Sequence, residues 1–142
     1  MKLSPKKGFT LIEVVIVLAI AALIMVIVFL GVQGAQRAQR DSKAKEQAAR
    51  TLAALEQFAS NSPTGSYPVS STPVTTMAPY FAGIDPVPTF ATSGSAVAGT
   101  ILYGSGVKCG TNGALTTSGA TAKDTAVSWF SEAGNIAGCI EN

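Results

Sequence analysis

The sequence has no histidine and few cysteines, aromatic residues or charges. Its 142 residues include two cysteines and one tryptophan, and only 13% are charged. The missing histidine excludes a histidine-based triad, a histidine-ligated metal and a histidine general base. The two cysteines, Cys109 and Cys139, are not spaced as C-x-x-C. Neither a thioredoxin-like redox site nor a zinc site is therefore expected.

Motifs for other kinds of chemistry are missing too. The acidic residues are scattered and form no calcium loop of the D-x-D-x-D-G type. The run GSGVKCG at 104–110 does not have the G-x-G-x-x-G spacing of a dinucleotide site. We therefore expect no metal, no cofactor and no enzymatic activity. The basic residues form no dense patch, so no specific nucleic-acid partner is expected either.

Charge is also absent from one long apolar run. Residues 14–32 contain no charged side chain. As a helix at ~1.5 Å per residue this run would span roughly 28 Å, about one bilayer core. Lys2, Lys6 and Lys7 come before it and favour a cytoplasmic N-terminus. Two cysteines in a membrane-targeted chain suggest export to an oxidising compartment and one disulfide, with a reduced pair as the alternative.

Helical patterns continue beyond the apolar run. No proline occurs between Pro5 and Pro63, and we expect one helix from about Thr10 to Ser60. Two acid–base pairs at i,i+4 spacing support it, Asp41 with Lys45 and Glu46 with Arg50. Its second half has an apolar stripe that requires a packing partner. The stripe consists of Ala48, Leu52, Leu55 and Ala59, broadened by Phe58.

The composition changes after residue 60. Ser, Thr, Gly and Pro make up 39 of the 82 residues from 61 to 142, which favours short strands and turns over a second long helix. The predicted strands are 97–103, 107–109, 114–117, 126–131 and 136–140. Residues 66–96 are predicted to be a long connecting loop with one helical turn near Met77–Phe81. Trp129 or Phe130 should pack on the stripe, and a ligand-binding Trp129 is the alternative.

The apolar run allows three interpretations. A Sec-type signal peptide would leave a soluble mature protein, with a cut near Gly34, but the run is longer than usual for such peptides. A plain anchor helix on an exported binding domain explains the length and the basic flank. Neither interpretation explains the carboxylate of Glu13 at the head of the run, where an ionised group is costly. The third interpretation treats K-G-F-T-L-I-E as one unit.

That unit carries a resemblance to a known family. KKGFTLIEVVIVLAIAALI, residues 6–24, closely resembles the class III signal sequence of type IV pilins and pseudopilins. The resemblance implies cleavage between Gly8 and Phe9 by a membrane peptidase and N-methylation of Phe9. It also implies that Glu13 pairs with a Phe9 amine and sets the axial register of subunits in a filament. The resemblance covers about the first 32 residues.

The resemblance also implies an organisation for the whole chain. The segments would be a cleaved leader at 1–8, a transmembrane and assembly helix at 9–32, an amphipathic continuation at 33–60 and a head at 61–142. The implied fold is α+β, with the long helix packed on a small antiparallel sheet. A disulfide between Cys109 and Cys139 would close a C-terminal loop at 109–139. Tyr67-Pro68, Tyr80-Phe81 and Asp85-Pro86 loosely resemble the segment after the helix in this family.

The implied function is structural. The chain would wait as a precursor in the bacterial cytoplasmic membrane, with its head outside, and then enter an extracellular pilus used for tasks such as motility or adhesion. Its partners would be other copies of itself, minor pilins, membrane lipid, the prepilin peptidase and methyltransferase, and an ATPase-driven assembly platform. A major pilin is the first expectation. A pseudopilin of a type II secretion or DNA-uptake system is the alternative.

One departure from the family pattern concerns the end of the apolar run. Many bacterial pilins have a proline near this point, where the helix melts locally in the filament. This chain has Leu30 there, followed by Gly31 and Gly34. Each glycine lowers helix stability by about 1 kcal/mol relative to alanine. Gly31 and Gly34 are therefore candidates for a soft point in the helix.

Overall fold

The computed structural model of the protein describes residues 8–70, 72, 74–132 and 136–142. Residues 1–7 of the predicted leader lie outside the described residues. The chain divides into two compact units, Met1–Gln36 and Arg37–Asn142. Helix α1, Leu11–Asn61, contributes to both.

Helix α1 confirms the predicted long N-terminal helix, with bounds that differ from the prediction by one residue at each end. Its last turn is closed by the Ser62 N–H, which donates to the Phe58 carbonyl at 2.9 Å. Pro63 then stops it, because proline has no N–H to continue the ladder. In the first unit, the apolar side chains from Val14 to Val32 are exposed. By length and composition α1 is able to cross a membrane.

The second unit contains six strands, a short helix and a 3₁₀ turn. The strands are β1 Thr89–Phe90, β2 Ile101–Ser105, β3 Lys108–Cys109, β4 Leu115–Thr116, β5 Thr125–Ser131 and β6 Ile136–Glu141; the short helix α2 is Val74–Met77 and the 3₁₀ turn is Thr111–Gly113. Four strands form one sheet in the order β1-β2-β5-β6, and β3 pairs with β4 in a separate sheet. In the larger sheet β1 is parallel to β2, and the other neighbours are antiparallel.

The four-stranded sheet is covered on both faces. On one face Ile101, Tyr103, Val127 and Trp129 share a core cluster with Leu55 of α1. On the other, Ala126 packs with Val107 and Leu115 around the β3–β4 pair. The buried residues of α1 lie on one side of the helix, as the predicted stripe requires. They are Ala48, Thr51, Ala54, Leu55 and Ala59, with Leu52 and Phe58 partly buried.

The α+β class is confirmed, with corrections to single elements. The sheet is mostly rather than wholly antiparallel, because β1 lies within the predicted loop 66–96 and pairs parallel to β2. The strand predicted at 97–103 begins only at Ile101. Residues 97–100 form a turn, in which the Thr100 N–H donates to the Val97 carbonyl at 3.0 Å and Gly99 has a φ of 75°.

The helical turn predicted near Met77–Phe81 is present, and a short helix precedes it. Helix α2 is Val74–Met77, and the chain continues as a single turn in which the Phe81 N–H donates to the Met77 carbonyl, four residues earlier, at 3.1 Å. Pro79 within this turn has no N–H and does not extend the hydrogen-bonded ladder. Met77 and Phe81 are both buried in the core cluster with Leu55, so this segment covers part of the α1 stripe.

Candidate processing and assembly site

The N-terminus of α1 is closed by a reciprocal pair of side chains. The Thr10 N–H and the Thr10 hydroxyl both donate to Oε2 of Glu13, at 3.0 and 2.7 Å. The Glu13 N–H donates back to the Thr10 hydroxyl at 3.4 Å. This is a capping box, in which a threonine and a glutamate three residues later satisfy otherwise unpaired N–H groups of the first turn. Glu13 therefore fixes where the helix starts.

The Gly8–Phe9 peptide bond lies just before that cap. Residues 8–10 are outside the helix, which begins at Leu11. Phe9 is 88% exposed, and a Cβ placed on Gly8 would meet no atom within 4 Å. A protease requires an accessible, non-helical substrate strand, and the structure presents this bond in that form within the first unit.

An open apolar depression of about 180 Å³ lies beside Glu13, lined also by Phe9, Val14, Val17 and Leu18, and all of these residues are exposed. If this surface enters an apolar environment such as lipid, the carboxylate needs hydrogen-bond donors or a cation. Thr10 supplies two donors to Oε2. The predicted processing residues Gly8 and Phe9 are thus brought together with the predicted register residue Glu13 at one end of the helix.

Gly31 and Gly34 lie inside α1, and the helix is regular at both positions. A Cβ built at either residue would meet nothing within 4 Å. Packing against the rest of the described chain therefore does not require glycine at these positions, while each glycine lowers helix stability. Their role as a soft point stays a prediction.

In the second unit, Cys109 of β3 and Cys139 of β6 are joined in a disulfide with a Cα–Cα distance of 5.7 Å. A second contact ties the same two strands, because the Cys109 N–H donates to Oε2 of Glu141 at 2.7 Å. The bond closes a loop with a sequence separation of 30. A loop of that length is worth on the order of 3 to 4 kcal/mol in the chain-entropy model.

Trp129 is a core residue. It is 9% exposed and belongs to the cluster around Leu55. Gly138 on the neighbouring strand makes room for its ring, since a Cβ there would collide with the indole. The alternative of a ligand-binding Trp129 is therefore wrong. Phe130 is partly buried and lines a surface groove beside Arg40.

The sequence analysis missed the residues that fasten α1 to the end of β5. Asp41 accepts hydrogen bonds from the Ser131 hydroxyl at 3.1 Å and from the Glu132 N–H at 2.6 Å. The neighbouring Arg40 forms an ion pair with Glu132 at 3.1 Å. No sequence pattern links residues about 90 positions apart. The predicted pair of Glu46 and Arg50 is present at 2.6 Å.

No cluster of three or more potential metal ligands occurs within the described ranges.

Comparison with known proteins gives one match. Residues 3–29 fit the family model of the prokaryotic N-terminal methylation motif. The chain carries the class III signal peptide motif of type IV pilins. No curated protein and no solved structure matches the chain.

The methylation motif spans Gly8, Phe9, Thr10 and Glu13, the residues at the start of α1. Behind it, the chain has the arrangement of type IV pilins, with a long N-terminal helix packed against a small, mostly antiparallel sheet. Motif and arrangement together support a type IV pilin-like or pseudopilin precursor. The motif and the apolar helix also fit a precursor that is first anchored in a membrane and later assembled outside the cell.

Proposed function

We propose that the chain is the precursor of a major type IV pilin. It is inserted in the cytoplasmic membrane, cut between Gly8 and Phe9, methylated at Phe9 and polymerised through helix α1. The observation that carries this proposal is the match of the methylation motif to residues 3–29. The exposed Gly8–Phe9 bond before a capped apolar helix supports it. The chain itself performs no chemistry.

The head supports a filament subunit exposed to the outside. It has a disulfide between Cys109 and Cys139, which suits an oxidising compartment. Only six of its 82 residues from 61 to 142 are charged, and Ser, Thr, Gly and Pro dominate its composition. These features favour a major pilin over a pseudopilin.

Mass spectrometry of filaments sheared from cells tests the proposal. The expected result is a chain that begins with N-methylated Phe9, is the most abundant protein of the filament, and has Cys109 bonded to Cys139. Protein that retains residues 1–8 in the assembled material would overturn the proposal. A processed chain that is found only in the membrane, with no surface filament, would instead identify a pseudopilin.

Replacement of Glu13 provides the first residue-level prediction. Glu13→Ala should leave cleavage after Gly8 largely intact and reduce filament yield by tenfold or more. The apolar helix then lacks its only carboxylate partner for the Phe9 amine, and a charge left unpaired in apolar surroundings costs on the order of several kcal/mol. Immunoblots of sheared and cell-bound fractions would measure yield and processing together. Wild-type yield from the variant would refute the register role of Glu13.

A further inference from the structure

Four basic residues of α1 lie shortly after its apolar run. They are Arg37, Arg40, Lys43 and Lys45, and together they form the 37–45 cluster. All four side chains are exposed. The only acid between residues 33 and 45 is Asp41, so this stretch has four positive charges and one negative charge, a net charge of +3.

Asp41 is engaged by the sheet rather than by the cluster. Its carboxylate accepts hydrogen bonds from the Ser131 hydroxyl at 3.1 Å and from the Glu132 N–H at 2.6 Å, both at the end of β5. Lys45 has the i,i+4 spacing for a pair with Asp41, but it forms no ion pair within the described part of the chain. The fold thus directs the one nearby acid away from the basic side chains.

The cluster is therefore available to an external anion. Among the residues that the structure describes, Arg37, Lys43 and Lys45 have no ion pair. Arg40 pairs with Glu132 at 3.1 Å, but the two side chains are 63% and 35% accessible. A solvent-exposed pair of this kind is weak, so Arg40 can exchange Glu132 for another anion.

The spacing between the cluster and the apolar run matches the headgroup layer of a bilayer. Arg37 follows Val32, the last residue of the run, by five positions, which is roughly 7.5 Å along a helix. The polar layer on each side of a hydrocarbon core is about 5 to 8 Å thick. The other three basic residues follow within eight positions. Their long side chains bend toward the interface, and their charges act over about 8 to 10 Å.

The apolar run has a second basic flank, the three lysines of the predicted leader. Cleavage between Gly8 and Phe9 would remove that flank. The 37–45 cluster would then be the only group of basic side chains close in sequence to the run. Electrostatic contacts of the processed chain with lipid headgroups would therefore come from this cluster.

We propose that the 37–45 cluster binds the phosphates of anionic phospholipids in the outer leaflet of the cytoplasmic membrane. Arg37 is the central residue, because a guanidinium donates two parallel hydrogen bonds to one phosphate. A lipid surface is favoured over nucleic acid or an acidic protein, because the apolar run ends only five positions before Arg37. The site rests on the membrane-inserted precursor of the proposed function. It adds an electrostatic contact that must break when the chain leaves the membrane for the filament.

Spin-labelled lipids measure this contact in bilayers. The full-length chain would be reconstituted in phosphatidylcholine vesicles with a trace of spin-labelled phosphatidylglycerol or spin-labelled phosphatidylcholine. Electron paramagnetic resonance gives the fraction of each lipid held at the protein. The preference of the parent for phosphatidylglycerol should fall about twofold or more in the variant with Arg37→Gln, Lys43→Gln and Lys45→Gln. The leader lysines are present in both chains and contribute equally.

The matched control removes the same number of positive charges further along the chain, with Arg50→Gln, Lys108→Gln and Lys123→Gln. It should keep the lipid preference of the parent. Arg37→Lys retains the charge and should keep most of the preference. Circular dichroism of each chain would verify that the helix content is unchanged.

The outcomes separate the lipid site from the function on which it rests. A cluster variant with the preference of the parent, or a control that loses as much as the cluster variant, would overturn the site. Either result would leave the proposed function standing, because the measurement uses purified protein and requires no filament. A parent chain that does not insert into vesicles would overturn the site and the membrane-inserted precursor together.

Discussion

Gly113 is a residue at which backbone conformation and packing both require glycine. Its φ is 69°, and a Cβ there would collide with the carbonyl group of Ala137 on β6. Gly119 has a similar φ of 70° but open space around its Cα. We expect Gly113→Ala to destabilise the head by more than about 3 kcal/mol and Gly119→Ala by only about 1 to 2 kcal/mol.

Thermal unfolding of the two glycine variants, followed by circular dichroism, measures that difference. Gly119→Ala is the control for the conformational cost alone. Equal losses in both variants would show that the close approach of β6 to Gly113 contributes nothing to stability.

Asp124 predicts a pH dependence. Hydrogen bonds from the Thr121 N–H and hydroxyl lower the pKa of Asp124 below its usual 3.8, and Lys108 acts in the same direction. The stabilisation is therefore present above pH ~3.8 and is lost as the pH falls through the lower pKa of the folded chain. Asp124→Asn should be less stable than the parent at pH 7, and the difference should shrink in acid.

Unfolding midpoints between pH 7 and pH 2 would check the role of Asp124. Thr121→Val removes one of the two donors and should reproduce part of the effect. A difference between parent and Asp124→Asn that is constant with pH would contradict the assignment.

The start of α1 shows what a sequence can reveal at the scale of single residues. The importance of Glu13 was predicted, but only as a partner for an amine. The pattern T-x-x-E at residues 10–13 is itself a capping-box signature. The hydrogen bonds between Thr10 and Glu13 can therefore be predicted from the sequence. Asp41 differs, because its partners Ser131 and Glu132 are brought near it only by the folded sheet.

At the scale of elements, two contacts attach α1 to the end of β5, and they should contribute different amounts to the free energy of unfolding. The Asp41 carboxylate satisfies the Glu132 N–H, whereas the Arg40–Glu132 ion pair is solvent-exposed, with side chains 63% and 35% accessible. Asp41→Ala should cost about 1 to 3 kcal/mol because it leaves N–H and hydroxyl groups without an acceptor. Glu132→Ala should cost less than about 1 kcal/mol.

Denaturant titration of both variants would rank the two contacts. Glu132→Ala is the control, since it removes the ion pair and keeps the backbone donor. A larger loss from Glu132→Ala than from Asp41→Ala would reverse the ranking.

Long elements were predicted better than short ones. The period of apolar residues from Ala48 to Ala59 and the stop at Pro63 placed α1 within one residue. Strand β1 has only two residues, Thr89 and Phe90, and no alternation can be recognised over that length. It is a strand because Tyr103 and its neighbours offer a free edge, which is a property of the tertiary structure.

At the scale of the whole molecule, the unit Arg37–Asn142 should fold without the apolar residues of the first unit. All buried residues of the described chain lie between Ala48 and Ala137, inside the unit Arg37–Asn142. A chain that begins at Arg37 should therefore fold in water without detergent, with an unfolding midpoint within about 4 to 8 °C of the parent in micelles, which corresponds to about 1 kcal/mol.

Differential scanning calorimetry of the shortened and the full-length chain would test this independence. The parent in detergent is the control. An unfolded or aggregated product from the shortened chain, made under oxidising conditions, would show that residues 1–36 contribute to the head.

The order in which the chain is made has a consequence for its folding. Leu55 and the rest of the α1 stripe are synthesised about 70 residues before Val127 and Trp129, which cover them. Until β5 emerges, the part of the stripe that Val127 and Trp129 cover lacks its native partners and exposes apolar surface to other proteins and to lipid. The head therefore folds late and through long-range contacts, which makes it slow and open to aggregation until β5 arrives.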